Sequence, residues 1–227
     1  MEPGNPLLDD YVLSLADSPR PKVCFLPTAS GDADHYVVRF YRTFCESQCE
    51  SSHVSLFRRE SGVGDIERHL LSRDVIYVGG GSVLSLLGTW RAHGIDTILR
   101  RAWEAGVILC GGSAGSLCWF GTGVTAFHGE PERYEGLGLL PWSNCVHYDA
   151  EPERDGAYRR MLLDGMPQGY AAEDGTALHF TGARLTRVVS SRPAARAYRM
   201  RVAGGRIERR TLMPDYLGAV APVAAAA

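Results

Sequence analysis

The chain has 227 residues, a length that allows one α/β domain or two small ones, and a single domain spanning 1–227 is the simpler expectation. Hydrophobic residues make up 45% and charged residues 22%, the proportions of an ordinary globular fold rather than of a disordered or fibrous chain. Lys and Arg total 24 against 26 Asp and Glu, for a net charge of −2 with no block of like charges, so nothing recruits nucleic acid or an anionic membrane.

The first twenty residues, MEPGNPLLDDYVLSLADSPR, contain no long apolar run. Neither a signal peptide nor a transmembrane helix fits them, and they are expected to form an N-terminal extension of a cytoplasmic protein. Lys22 to Pro27, KVCFLP, reads as a buried strand ended by Pro and the small-residue turn TASGD. Asp34 to Glu50 reads as a helix, with Val37, Phe40, Tyr41 and Phe44 on one stripe. His53 to Phe57 is strand-like, Asp65 to Leu71 a short helix, and Asp74 to Val78 a second buried strand running into Gly79-Gly80-Gly81. Helical spacing returns through Val83, Leu84, Leu87 and Trp90, breaks at Gly94 and resumes at Ile95, Ile98 and Leu99, before the strand Val107 to Cys110.

Wholly apolar strands alternating with helices predict a parallel sheet covered on both faces. After about residue 175 the runs ALHF, RVVSS, AYRMRV and RIERRTL, punctuated by Gly and Pro, predict antiparallel strands. The expected fold is thus an α/β three-layer sandwich: a mostly parallel central sheet, helices on both faces, antiparallel C-terminal strands and a loose tail over 218–227. The six cysteines, at 24, 45, 49, 110, 118 and 145, contain no C-x-x-C, and Cys45 and Cys49 lack further ligands at finger-like spacing. Free thiols and no metal are expected.

The segment carrying most chemistry is VILCGGSAGSLCWF, residues 107–120, where a buried strand runs into Gly111-Gly112-Ser113-Ala114-Gly115 and then a helical start. G-x-S-x-G in that context suits a nucleophile elbow, in which small neighbours let Ser113 sit in a strained turn with its hydroxyl exposed. The N–H of Ala114, at a helix N-terminus, is placed to donate to an oxyanion. The same pattern suits a turn that only packs, or one that cradles a phosphate. Gly79-Gly80-Gly81-Ser82 offers further backbone donors, or is simply a tight turn into the next helix. Of seven histidines, His147 stands out because its polar neighbourhood, SNCVHYDAEPER, follows the apolar turn GLGLLPW and would lie at a sheet edge.

These segments together resemble the dipeptidase E and cyanophycinase family of serine peptidases. The resemblance rests on KVCFLPTASGD, YVGGGSVLSLL, CGGSAGSLCWF, GLGLLP followed by VHYDAEPER, and EDGTALHF with AYRM, in that order from about Lys22 to Leu217. It implies a fold related to class I glutamine amidotransferases, Ser113 as nucleophile, His147 as general base, Gly80 and Ala114 as oxyanion donors, and no metal or organic cofactor. The chain departs from the pattern twice. GGGS replaces the common GGGN, putting Ser82 where an amide would bind substrate, and Ala126, in GVTAFHGEPERYEG, stands where the acid is expected. The resemblance then leaves Glu130, Glu132 and Glu135 as candidates for that acid, and Glu130 is the nearest to the expected site.

The function expected is a serine exopeptidase acting on short peptides, with an N-terminal aspartate preference if a cation such as Arg154 or Arg159 pairs with the side-chain carboxylate. A silent member that binds a small ligand or partner through the same pocket, and a hydrolase of another acyl bond such as an ester or β-aspartyl peptide, stand as alternatives. A homodimer is compatible with the composition, although no pattern locates its surface.

Overall fold

The apolar runs fold as parallel strands because each can bury both of its faces. The computed structural model describes residues 1–57 and 64–219. Most of the tail expected at 218–227 therefore lies outside the described residues. A first helix, α1 (Leu7–Ser14), precedes β1 (Lys22–Leu26), α2 (Asp34–Thr43), β2 (Glu50–His53), α3 (Ile66–Leu71), β3 (Val75–Val78), α4 (Val83–His93), α5 (Ile95–Glu104) and β4 (Ile108–Gly111). The four strands form a parallel sheet in the order β2-β1-β3-β4. Alternate residues divide between its faces. Val23, Phe25, Val75 and Tyr77 pack with Phe40 and Phe44, at and just beyond the end of α2. Cys24, Leu26, Ile76 and Val78 pack with Leu86, Leu87 and Trp90 of α4 and with Leu99 and Ala102 of α5. Each large side chain buried in this way stabilises the sandwich by roughly 1.5–3 kcal/mol.

The chain continues through α6 (Ala114–Leu117), β5 (Phe120–Thr125), β6 (Glu132–Glu135), β7 (Leu140–Cys145), α7 (Glu153–Leu163) and β8 (Gly169–Ala172). It ends in β9 (Thr176–Thr181), β10 (Arg184–Ser190), β11 (Ala197–Ala203), β12 (Arg206–Leu212) and β13 (Asp215–Tyr216). A second sheet, β12-β11-β8-β7-β5-β6, is parallel at its centre and antiparallel at both ends. Tyr158 and Leu162 of α7 cover one face of it, against Cys145, Ala171 and Met200. β9 and β10 make an antiparallel pair with β13 added, so the C-terminal strands expected from the sequence are present. Within the region expected as an extension, α1 is docked: Tyr11 Oη lies 2.7 Å from His179 Nδ1 on β9, and Asn5 Nδ2 donates to Ser191 O at 3.2 Å.

Two boundaries differ from the sequence reading. The helix expected to reach Glu50 stops at Thr43, because Phe44 turns out of helical geometry and the Ser51 hydroxyl takes its carbonyl. The strand expected at 53–57 instead covers Glu50–His53, the stretch that finds partners from Lys22 to Phe25 on β1. Pairing set its position, since its polar sequence has no apolar run to mark it.

Candidate active site

Ligands of open α/β sheets sit beyond the carboxyl ends of the strands, and the chemistry-bearing residues gather there. Gly79–Gly81 follow β3, Ser113 follows β4, His147 follows β7 and Asp174 follows β8. The elbow is built by close packing. Gly115 lies so near β3 that a Cβ on it would stand 2.1 Å from Val78 O, a clash with backbone that no rotamer relieves. With the chain pressed on the strand, Ser113 takes φ 55° and ψ −120°, a strained conformation for a residue with a side chain. α6 begins at the next residue. Ala114 supplies the first amide of that helix, one of those an α-helix leaves without an intrahelical acceptor. Gly80 borders the same point, since a Cβ on it would be 3.4 Å from Ser113 Cβ.

His147 is the second strained residue, with φ 55°. Its Nε2 lies 3.0 Å from Ser113 Oγ and its Nδ1 2.7 Å from Asp174 Oδ1. Hydroxyl, imidazole and carboxylate thus form one line of hydrogen bonds. Both side chains remain about one-third exposed, at 30% for His147 and 34% for Asp174, so the line is open to a substrate. Asp174 is held by its own backbone: its N–H donates to Asp149 Oδ1 at 2.9 Å, and Ser191 N–H donates to Gly175 O at 2.8 Å. Glu173, beside it, is fastened elsewhere. Its carboxylate accepts from Arg196 N–H at 2.7 Å and from Tyr198 Oη at 2.6 Å.

The carboxylate on His147 is therefore Asp174 and not Glu130. Glu132 and Glu135 lie on β6, and β5 stands between β6 and the His147-bearing β7, while Glu130 is exposed in the loop before β6. The sequence held a signal for the right residue in EDGTALHF: an acid pair and glycine at the end of the buried strand GYAA, already among the segments carrying the resemblance.

The arginines expected to read an acidic side chain have other work. Arg154 is buried, with Nε 2.5 Å from Glu151 Oε2 and Nη1 donating to Val124 O at 3.3 Å. Arg159 pairs through Nε with Asp155 at 2.7 Å, one turn back on α7. Ser82 is also committed. It caps α4 by accepting from Ser85 N–H at 3.2 Å, and its Oγ lies 2.8 Å from His128 Nε2. Burial pushes the Cys110 and Cys118 thiols well up and the Cys145 thiol up to about 12, so none of these neighbouring thiols competes with the Ser113 hydroxyl as a thiolate. Among the described residues no group of three or more His, Cys, Asp or Glu is arranged to hold a metal ion, and no helix is long and apolar enough to cross a membrane.

The family model described as Peptidase family S51 matches residues 1–188. The chain belongs to peptidase family S51. This S51 protein is a serine peptidase, a hydrolase, with an α/β fold of the peptidase kind. It is 45% identical over 219 residues to the uncharacterized peptidase YgaJ of Bacillus subtilis, covering 96% of this chain and 94% of that protein. It is 26% identical over 191 residues to Peptidase E of Pasteurella multocida, covering 78% and 77%. Among solved structures it is similar to a peptidase from an acI-B1 Actinobacterium, with a TM-score of 0.68 at 19% identity over 93% of this S51 chain and 89% of the other, which shows the shared fold.

Proposed function

We propose that this S51 peptidase cleaves short peptides through an acyl-enzyme formed on Ser113. The observation that carries the reading is the continuous line Ser113 Oγ, His147 Nε2, His147 Nδ1, Asp174 Oδ1, at 3.0 and 2.7 Å. Asp174 accepts a hydrogen bond from Nδ1–H, which fixes the tautomer that leaves Nε2 as the acceptor facing Ser113. As Oγ attacks the scissile carbonyl, His147 takes its proton and Asp174 stabilises the imidazolium. The carbonyl oxygen, now an oxyanion, is met by the backbone N–H groups of Gly80 and Ala114. His147 then protonates the leaving amine, which departs, and water repeats the sequence to release the acid.

Two strained residues in one hydrogen-bonded line favour an active enzyme over a silent binder, because a binding pocket has no use for that strain. With Arg154 and Arg159 committed to internal partners, neither supports a preference for N-terminal aspartate. A fluorophosphonate should label the wild type and fail to label Ser113→Ala, and a panel of short peptides with free and blocked termini should show cleavage by the wild type alone. Labelling that survives Ser113→Ala would overturn the assignment.

A further inference from the structure

The loop 126–131 leaves the carboxyl end of β5, the strand paired with β7, and so begins beside the strand that delivers His147. Its other attachment is to the turn after β3, next to the nucleophile. His128 Nε2 is 2.8 Å from Ser82 Oγ, and Ser82 stands two residues beyond Gly80, whose backbone borders Ser113. That turn is itself fixed: Gly81 has φ 139°, a Cβ on it would lie 2.1 Å from Ala29 O, and Ser82 N–H donates to the same carbonyl at 2.8 Å. The hydrogen bond between His128 and Ser82 thus ties the loop that leaves β5, the strand beside β7, to the turn that carries Gly80.

Ser82 and the stretch around Ala126 are also the two places where the chain departs from the pattern it resembles. In space the two departures are one hydrogen-bonded unit. Ser82 Oγ already accepts from Ser85 N–H, which leaves its own O–H to donate to Nε2 of His128. Phe127 stands edge-on to that ring, with centroids 5.1 Å apart and an interplanar angle of 84°, and is 59% exposed. A single exposed Phe is ordinary on a surface. Beside a second aromatic ring, on a loop tied to the turn that carries Gly80, it offers a binding face, since pockets are lined by apolar and aromatic groups with few polar ones.

We propose that Phe127 and His128, latched to Ser82, form the specificity-determining wall of the substrate site and select an apolar side chain on a residue adjoining the scissile bond. The inference rests on the assignment of Ser113 as nucleophile. An apolar wall discriminates by about 10- to 200-fold per methylene or two, which sets the effect to look for.

The test is kcat/KM for Gly-Gly, Leu-Gly and Gly-Leu. The wild type should prefer Leu to Gly at one of the two positions by about 10-fold or more, and Phe127→Ala should bring that preference below about 3-fold. His128→Ala should act in the same direction, and adding Ser82→Ala to it should change the preference no further, because both break one latch. Met213→Ala removes an apolar side chain that is 67% exposed elsewhere and should leave the preference intact. No apolar preference in the wild type, a preference that survives Phe127→Ala, or no cleavage of any of the three peptides would overturn the proposal. Fluorophosphonate labelling of the same preparations separates the causes. Labelling independent of Ser113 condemns the nucleophile, whereas Ser113-dependent labelling with unaltered selectivity condemns only the wall.

Discussion

The turn that carries Ser113 and the turn that carries Asp174 end neighbouring parts of one site, yet they are made in opposite ways. The serine turn depends on the missing side chains of its own residues: Gly111 and Gly115 let residues 111–115 press onto Val78 O of β3, and the strained φ of Ser113 goes with that packing. The acid turn is a distant construction. Asp174 is aimed by Asp149, 25 positions earlier, while Ser191 and Arg196, 17 and 22 positions later, hold its neighbours Gly175 and Glu173. A turn made possible by absent side chains should tolerate no enlargement of its own glycines, whereas a turn held by remote hydrogen bonds should loosen when its distant partners are changed.

The largest effects test the chemistry common to both. Ser113→Ala, which keeps the backbone and removes the hydroxyl, should lower kcat by on the order of 10⁶, and His147→Ala comparably. Retention of about a tenth of the wild-type rate in either would remove that residue from the mechanism. Asp174→Asn should cost on the order of 10⁴ in kcat by releasing the tautomer, while Glu130→Gln should stay within a few-fold of wild type. The reverse order would return the acid to the loop before β6.

Gly115→Ala sharpens the contrast on stability. Overpacking typically costs about 1–3 kcal/mol, and here the obstacle is a backbone carbonyl, so the loss should reach the upper end of that range in a denaturant melt. A melt within about 0.5 kcal/mol of wild type would show that the elbow is looser than its packing implies. At the acid turn, Asp149→Ala removes the acceptor for Asp174 N–H, a hydrogen bond worth about 1 kcal/mol, and should lower kcat by about 5- to 10-fold with little change in melting. Unchanged kcat would mean that Ser191 and Arg196 aim the turn without it.

The smallest effect is in pH. Burial lowers the pKa of His53, His69 and His179 below the ordinary value of 6.5, and His179 sits on β9, the strand that leaves the acid turn. A histidine lowered in the folded state takes up its proton first when unfolded. Stability is therefore full above about pH 7 and declines as pH falls through about 6.5 toward the folded values. The melting temperature should drop between about pH 7.5 and 5.5, and the drop should be smaller in His179→Gln. A flat profile over that interval would contradict the direction.

What the sequence by itself determined were the features whose cause lies within a few residues. The apolar runs within 22–26 and 75–78 specified buried parallel strands, and the run at 107–110 a further parallel strand that is half-buried, since strands covered on both faces carry such runs. Gly94 with φ 68° divided α4 from α5 where the periodicity broke, and the small residues around Ser113 announced the elbow. The polar strand β2 and the end of α2 were fixed only by pairing with β1 and by the Ser51 hydroxyl, neither of which leaves a mark in the local pattern. Tertiary structure alone chose Asp174 over three glutamates closer to His147 in the chain, because strand order decides which carboxylate reaches an imidazole. β8 lies directly beside β7, whereas β6 is separated from it by β5. Sequence proximity to His147 carried no information about that order.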